Sequence, residues 1–355
     1  VLALTSRAWQ AAVSTASNIP KGIAKVRRAD KLTDFKRAAD LQLSLLLPIA
    51  LVVCTSPVFA QVSSSSTIDM VQQTPPFRYG VKVELVDIFA SVHDSKGKLV
   101  TKLRRDDFIV YDNDVPQAIT EFSRQYYPLS VLILLDTSNS MAGKKIENAR
   151  KSLAQFLRRL NAGDEAMLVT FQSRPRIVEA FTQDLDRIRR DLKRMEGNGS
   201  TALYDAIIMA LDHIGNAHNS RKTLLLISDG INTYGKAQLK ETMEILKRRG
   251  VEIFAIGMES DLPEDARDKI ITRTILDQLT GSAGGESFLV SDSGDLPRVC
   301  HAISEQMHNQ YALGYRPPKS TNTDWRKIRV ETRMPGLTVV ASKTGYYPSR
   351  SKGAN

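Results

Sequence analysis

An aspartate and two serines at alternate positions, Asp136-Thr137-Ser138-Asn139-Ser140, follow directly on the apolar run Val131 to Leu135. Such a run is what a parallel strand buried on both faces requires, and the C-terminal end of a strand in an open α/β sheet is where ligands bind. As the loop turns towards a helix, the oxygens of Asp136, Ser138 and Ser140 can curl around one point. An all-oxygen shell suits a hard divalent cation: Mg2+ first, keeping waters at positions left open, with Mn2+ or Ca2+ as the other candidates. Two further pieces fall where such a site needs them. Gly197-Asn198-Gly199-Ser200-Thr201 precedes a helical pattern and offers the Thr201 hydroxyl on a permissive loop, and Ser228-Asp229-Gly230 ends a second apolar run with another carboxylate.

The elements that must position these groups alternate in period. Ile146, Ala149, Leu153, Leu157 and Leu160 follow the first loop at helical spacing. Strands are expected at 166–171, 177–181, 224–228, 251–256 and 287–290, and helices at 185–195, 202–214, 239–248, 270–279 and 296–309. Strands alternating with helices of this length predict a doubly wound, mostly parallel α/β sheet with helices on both faces. Strand periods without helices precede it, from Val81 through Val92, Phe108 to Tyr111 and Ile119 to Phe122, and return after it at Tyr311 to Tyr315, Ile328 to Thr332 and Leu337 to Ser342. Each set is too small to bury a core by itself. The economical expectation is one small β-sandwich formed by N-terminal (79–127) and C-terminal (311–347) strands, with the α/β domain (129–310) inserted between its halves.

Taken together, D-x-S-x-S after a strand, Gly-Ser-Thr-Ala-Leu-Tyr-Asp-Ala at 199–206 and Leu-Ile-Ser-Asp-Gly at 226–230 resemble the von Willebrand factor A domain family, which includes the integrin I domain. The resemblance covers about Leu129 to Gln310. It implies a metal-ion-dependent adhesion site on Asp136, Ser138, Ser140, Thr201 and Asp229, and a binding module, not an enzyme. It further implies a protein partner whose Asp or Glu carboxylate completes the metal shell. Asp106-Asp107-Phe108, Tyr311-Ala312-Leu313-Gly314-Tyr315 and Gly345-Tyr346-Tyr347 look like the flanks of bacterial exported proteins related to this domain, a group with no biochemical role to transfer.

Other readings compete for the same residues. Asp, Ser and Thr are ordinary helix caps, which explains any one of the five but not their convergence. Asp205, one helical turn beyond Thr201, could buttress the site, cap the helix or lie in solvent. Gly230 to Lys236 has the spacing of a phosphate loop but carries Ala237 where Ser or Thr should hold Mg2+. A hydrolase finds neither G-x-S-x-G nor H-E-x-x-H. The five histidines are scattered; His301 and His308, seven apart, could share a helix face but read as surface or half-buried side chains. The basic run Arg187, Arg189, Arg190, Lys193, Arg194 reads as a solvated face, with an anionic surface as the other option. A structural scaffold whose metal only stabilises the loops is the alternative from a different class.

Composition sets the frame. At 42% hydrophobic and 25% charged, 355 residues supply real cores for roughly two domains, and global disorder is excluded. The net charge of +10 suggests a polyanion until it is divided along the chain. Residues 1–60 hold eight Lys or Arg against three Asp or Glu, leaving 41 against 36 over the rest, so nucleic acid loses its main support. That first segment has a basic stretch, an apolar run from Leu41 to Cys54 and Val58-Phe59-Ala60 before Gln61, the pattern of a secretory signal peptide cut after Ala60. The protein is then exported, to periplasm, cell surface or medium, and meets a membrane only if the leader stays uncleaved. Val53 before Cys54 argues against a lipoprotein. The leader is long before its apolar run and opens on Val, and translation from Val26 gives better proportions. Residues 61–78, with four serines in a row and Pro75-Pro76, read as a flexible linker, and 348–355 as a tail. With Cys54 removed, Cys300 stands alone, no intramolecular disulfide forms, and Cys300 is expected as a buried small hydrophobe.

Overall fold

The computed structural model describes residues 85–229, 231–258, 266–318 and 322–348. The expected signal peptide, the linker, the strand residues Val81 and Val83 and nearly all of the tail lie outside the described residues.

The central sheet runs in the order β10-β9-β8-β5-β6-β7, from β5 (Leu129–Asp136), β6 (Glu165–Phe171), β7 (Pro175–Thr182), β8 (Arg221–Ser228), β9 (Glu252–Met258) and β10 (Gly285–Val290). Five strands are parallel and β7 lies antiparallel on the edge. All eight residues of β5 are buried, which explains the unbroken apolar run. Its side chains alternate between faces: Leu129, Val131, Ile133 and Leu135 join one core, Leu132 and Leu134 the other. The first core is closed by α1 (Lys144–Leu157), α2 (Leu185–Leu192) and α6 (Leu296–His308), the second by α3 (Leu203–Asp212), α4 (Leu239–Arg249) and α5 (Ala266–Ala283). Cys300 is buried in the α6 layer, and burial pushes its thiol up to about 12. It is the packed hydrophobe the sequence suggested.

The remaining strands form two antiparallel sheets around a third core. One is ordered β13-β1-β11-β4 and the other β14-β12-β2-β3, with β1 (Val86–His93), β2 (Phe108–Asp112), β3 (Val115–Gln117), β4 (Ile119–Ser123), β11 (Tyr311–Tyr315), β12 (Arg326–Thr332), β13 (Thr338–Ala341) and β14 (Gly345–Tyr346). β1 lies between β11 and β13, and β2 pairs with β12, so strands from both ends of the chain interleave. Between the sheets Asp112, fully buried, accepts hydrogen bonds from the hydroxyls of Tyr315 and Tyr346 and from Arg326 Nε. β3 and β14 were not expected; each is a short edge strand.

A polar seam lies where the sandwich strands join the α/β sheet. Gln310, between α6 and β11, accepts from Arg221 and donates to Glu252 Oε1 at 2.6 Å. The Arg221 guanidinium sits 4.9 Å from the centre of the Phe89 ring on β1. Asp164 accepts from the Tyr126 hydroxyl and the Leu129 amide on Oδ1 and from the Asn161 amide on Oδ2, and His308 Nε2 lies 3.3 Å from Oδ2. Burial opposes the Asp164 charge, but His308, Tyr126 and the two amides outweigh it and hold the carboxyl below its usual range. Its contribution to stability is therefore complete above the unfolded value of about 3.9 and is lost as pH falls through the lower folded value. Acid unfolding followed by circular dichroism should depend less steeply on pH below about 4 in Asp164→Asn than in the wild type. An equal slope would exclude this role.

The turn from α5 into β10 requires glycine. Gly285 has φ +106°, and a Cβ there would lie 2.0 Å from the Ile253 carbonyl oxygen on the neighbouring strand. Gly285→Ala is expected to cost at least about 2 kcal/mol, read from a denaturant midpoint. An unchanged midpoint would show that the turn relaxes freely.

Candidate functional site

β5 and β8 are adjacent parallel strands with Leu135 beside Ile227, so the chain leaves them side by side at Asp136 and Ser228-Asp229. From β5 the chain moves to β6 on one side and later returns to β8 on the other. This reversal of strand order leaves a crevice outside the strand ends, the usual ligand position of open α/β sheets.

Three loops are stitched around it. The Asn198 amide donates to the Thr137 carbonyl and the Asn139 amide to the Gly199 carbonyl, both at 2.8 Å, joining the first loop to the second. Gly197 permits the contact, since a Cβ there would lie 2.6 Å from Ala142 Cα. The third loop, 231–237, is held by Thr201. The Thr201 carbonyl accepts from the amides of Thr233 and Tyr234, and its amide donates to Thr233 Oγ1, all at 3.0 Å. Asp205 accepts from the amides of Lys236 and Ala237. It holds the third loop, and the amides a phosphate loop would present are spent on its carboxylate.

Asp136 is fully buried. Its Oδ1 accepts from the Ser138 amide at 2.8 Å and its Oδ2 from Ser228 Oγ at 2.6 Å. Ser138 Oγ and Ser140 Oγ are 3.0 Å apart. Ser140, Thr201 and Asp229 line one cleft of about 450 Å3 with Lys145, Thr233 and Lys269. Burial, then the charge of Asp229, push the Asp136 carboxyl up to about 6, against the hydrogen bonds from Ser228 and Ser138. The structure thus brings all five sequence-selected residues to one place. Ser138, at the N-cap position of the 139–141 turn, makes no side-chain cap there, and its hydroxyl lies against Ser140 instead.

The donor set is two carboxylates and three hydroxyls. Among the described residues no group of three or more His, Cys, Asp or Glu could hold a metal, so the nitrogen and sulfur ligation of zinc has no counterpart. Oxygen donors that include the buried Asp136 carboxylate and the half-buried Asp229 fit a hard divalent cation, which would relieve the like-charge repulsion. The histidines do not converge: His308 contacts Asp164 and Tyr126, His218 Nδ1 lies 2.8 Å from Glu165, and His301 is exposed. Sequence reasoning missed Lys145, Thr233 and Lys269 in the cleft wall; loop residues without period carry little signal.

The open six-stranded sheet with helices on both faces and a loop-built cleft at its switch point is a doubly wound α/β domain. Residues 130–301 match the family model of the von Willebrand factor type A domain, and this part of the chain is a domain of that type. Such domains typically mediate contacts between proteins. The chain is similar to inter-alpha-trypsin inhibitor heavy chain H4 of Sus scrofa, 27% identical over 150 residues, which is 38% of this chain and 16% of that protein. It is also similar to heavy chain H2 of Mesocricetus auratus, 24% identical over 240 residues, 63% of this chain and 24% of that one. The chain thus spans less than a quarter of these relatives. A solved von Willebrand factor type A structure from Catenulispora acidiphila aligns at 11% identity and TM-score 0.46, over 76% of this chain and 75% of that one.

Proposed function

We propose that the cleft holds a divalent cation, Mg2+ in the first place, on Asp136, Ser138, Ser140, Thr201 and Asp229, and that a protein partner docks there through an Asp or Glu carboxylate. The reading is supported above all by two carboxylates and three hydroxyls from separate loops meeting at one cleft, with the charges of Asp136 and Asp229 opposing each other. Bound there, the ion supplies a positive centre for one more anionic oxygen. The chain's own part is to orient. Ser228 and the Ser138 amide fix both oxygens of Asp136, Thr233 fixes the loop of Thr201, and Lys145 adds positive charge at the rim. Nothing in this arrangement activates a nucleophile, so the protein binds and does not turn over. The leader pattern supports an exported protein acting in the bacterial envelope or outside the cell.

Immobilised full-length protein, offered an envelope fraction, should retain its partner in Mg2+ and release it on chelation. Retention in chelator would refute the cation bridge. A melting temperature that rises with Mg2+ while nothing is captured would favour the scaffold reading instead.

A further inference from the structure

A second surface lies on the α1 and α2 side of the sheet. A groove of about 440 Å3 between these helices is lined by Arg150 and Lys151 from α1 and Arg158 at its C-cap, and by Arg189 and Arg190 from α2 and Lys193 at its C-cap. Only Glu147 and Asp186 oppose them there. Six cations thus face two carboxylates, whereas residues 61–355 as a whole carry 41 and 36. Most of the positive excess outside the leader is gathered in one concavity.

Internal partners account for half of these cations. Lys151 pairs with Glu147 at 2.7 Å, Arg189 pairs with Asp186, and Arg150 donates to the carbonyls of Lys193 and Met195, tying the helices together. Arg158, Arg190 and Lys193 are exposed and make no ion pair or side-chain hydrogen bond among the described residues. Like charges kept this close repel one another, and an anionic occupant relieves them. Arginine's planar fork suits carboxylates taken two oxygens at a time. Ala154 and the buried Leu192 add an apolar wall between the cations. From Glu147 to Arg158 the groove follows α1 for about 16 Å, the span of roughly five extended residues. A concave, half-apolar groove of that length suits a peptide better than a flat bilayer.

We propose that the α1–α2 groove docks an extended acidic segment of a protein partner. It does so without the cation, since α1 carries the groove away from the 136–143 loop. The test uses a fluorescein-labelled peptide of glutamates interspersed with leucines and the full chain in EDTA, followed by anisotropy. Binding should weaken with salt and fall at least about tenfold in Arg158→Glu/Arg190→Glu/Lys193→Glu. It should persist in Asp136→Ala and in Lys96→Glu/Lys102→Glu/Arg104→Glu, a charge-matched reversal of exposed cations elsewhere. Unchanged circular dichroism melts establish that the variants fold. Equal losses in the two triple variants, no peptide binding, or groove-dependent binding to phosphatidylserine vesicles without peptide binding would each overturn the proposal. Because the cation is chelated throughout, failure here leaves the cleft reading standing, and the reverse also holds.

Discussion

In Asp136→Ala, Mg2+ is expected to leave the melting temperature within a degree or so of its value in chelator, whereas the wild type should rise by about 5–10 °C. That figure follows from about 2.7 kcal/mol of linkage at a hundredfold excess over Kd and about 2–4 °C per kcal/mol for a body of this size. The substitution deletes a fully buried carboxylate that faces Asp229. It also removes the carboxylate oxygens that accept from the Ser228 hydroxyl and the Ser138 amide. These effects oppose each other, relief of a desolvated like charge against about 1.5–3 kcal/mol for each hydrogen bond lost to a charged acceptor. The variant should therefore fold in chelator, with every strand of the central sheet in place. Thr201→Ala, which leaves both carboxylates intact, should reduce the Mg2+ shift without abolishing it. A full shift in Asp136→Ala would remove this residue from the cation site.

Ending the chain after Gln310 is expected to unfold the strands before the α/β domain while that domain stays folded. β1 would lose β11 and β13, both of its neighbours, and β2 would keep only the three-residue β3. The third core would lose Tyr311, Leu313, Tyr315, Ile328 and Val330. No single hairpin left behind is stable in water. The α/β domain keeps both of its cores, and Gln310 remains to satisfy Arg221 and Glu252. Hydrogen exchange should show amides of 86–123 exchanging as in an unfolded chain and those of β5 and β8 still protected. Protected N-terminal strands in the truncated chain would show that the two halves of the sandwich do not depend on each other.

The cleft was legible because its chemistry is tied to apolar runs: Asp136 and Asp229 each follow a short continuous run, bounded by turn residues, of the length a buried strand takes. The sandwich was legible from the return of strand spacing after Gln310. The direction of β7 was legible in principle, since only three residues separate it from β6, too few for the crossover a parallel strand needs. β3 escaped because Val115-Pro116-Gln117 carries a proline at an exposed edge, and β14 because two residues have no period. The seam of Asp164, Arg221, Glu252 and Gln310 has no signal of its own in the sequence. Its partners lie up to 144 residues apart, between Asp164 and His308, and only the packed sheet reveals them. Asp205 was singled out without a settled role, because its partners are backbone amides, which have no signature in sequence.

The inserted domain leaves the sandwich after β4 and rejoins it at β11, and these strands are neighbours, with Ser123 opposite Ala312. The cleft is at the far end of β5, about 25 Å of strand away. Tension applied at the cleft would therefore leave the domain through two covalent strands lying side by side. The pull is shared between them, and neither can be peeled out without dragging the sheet that holds the other.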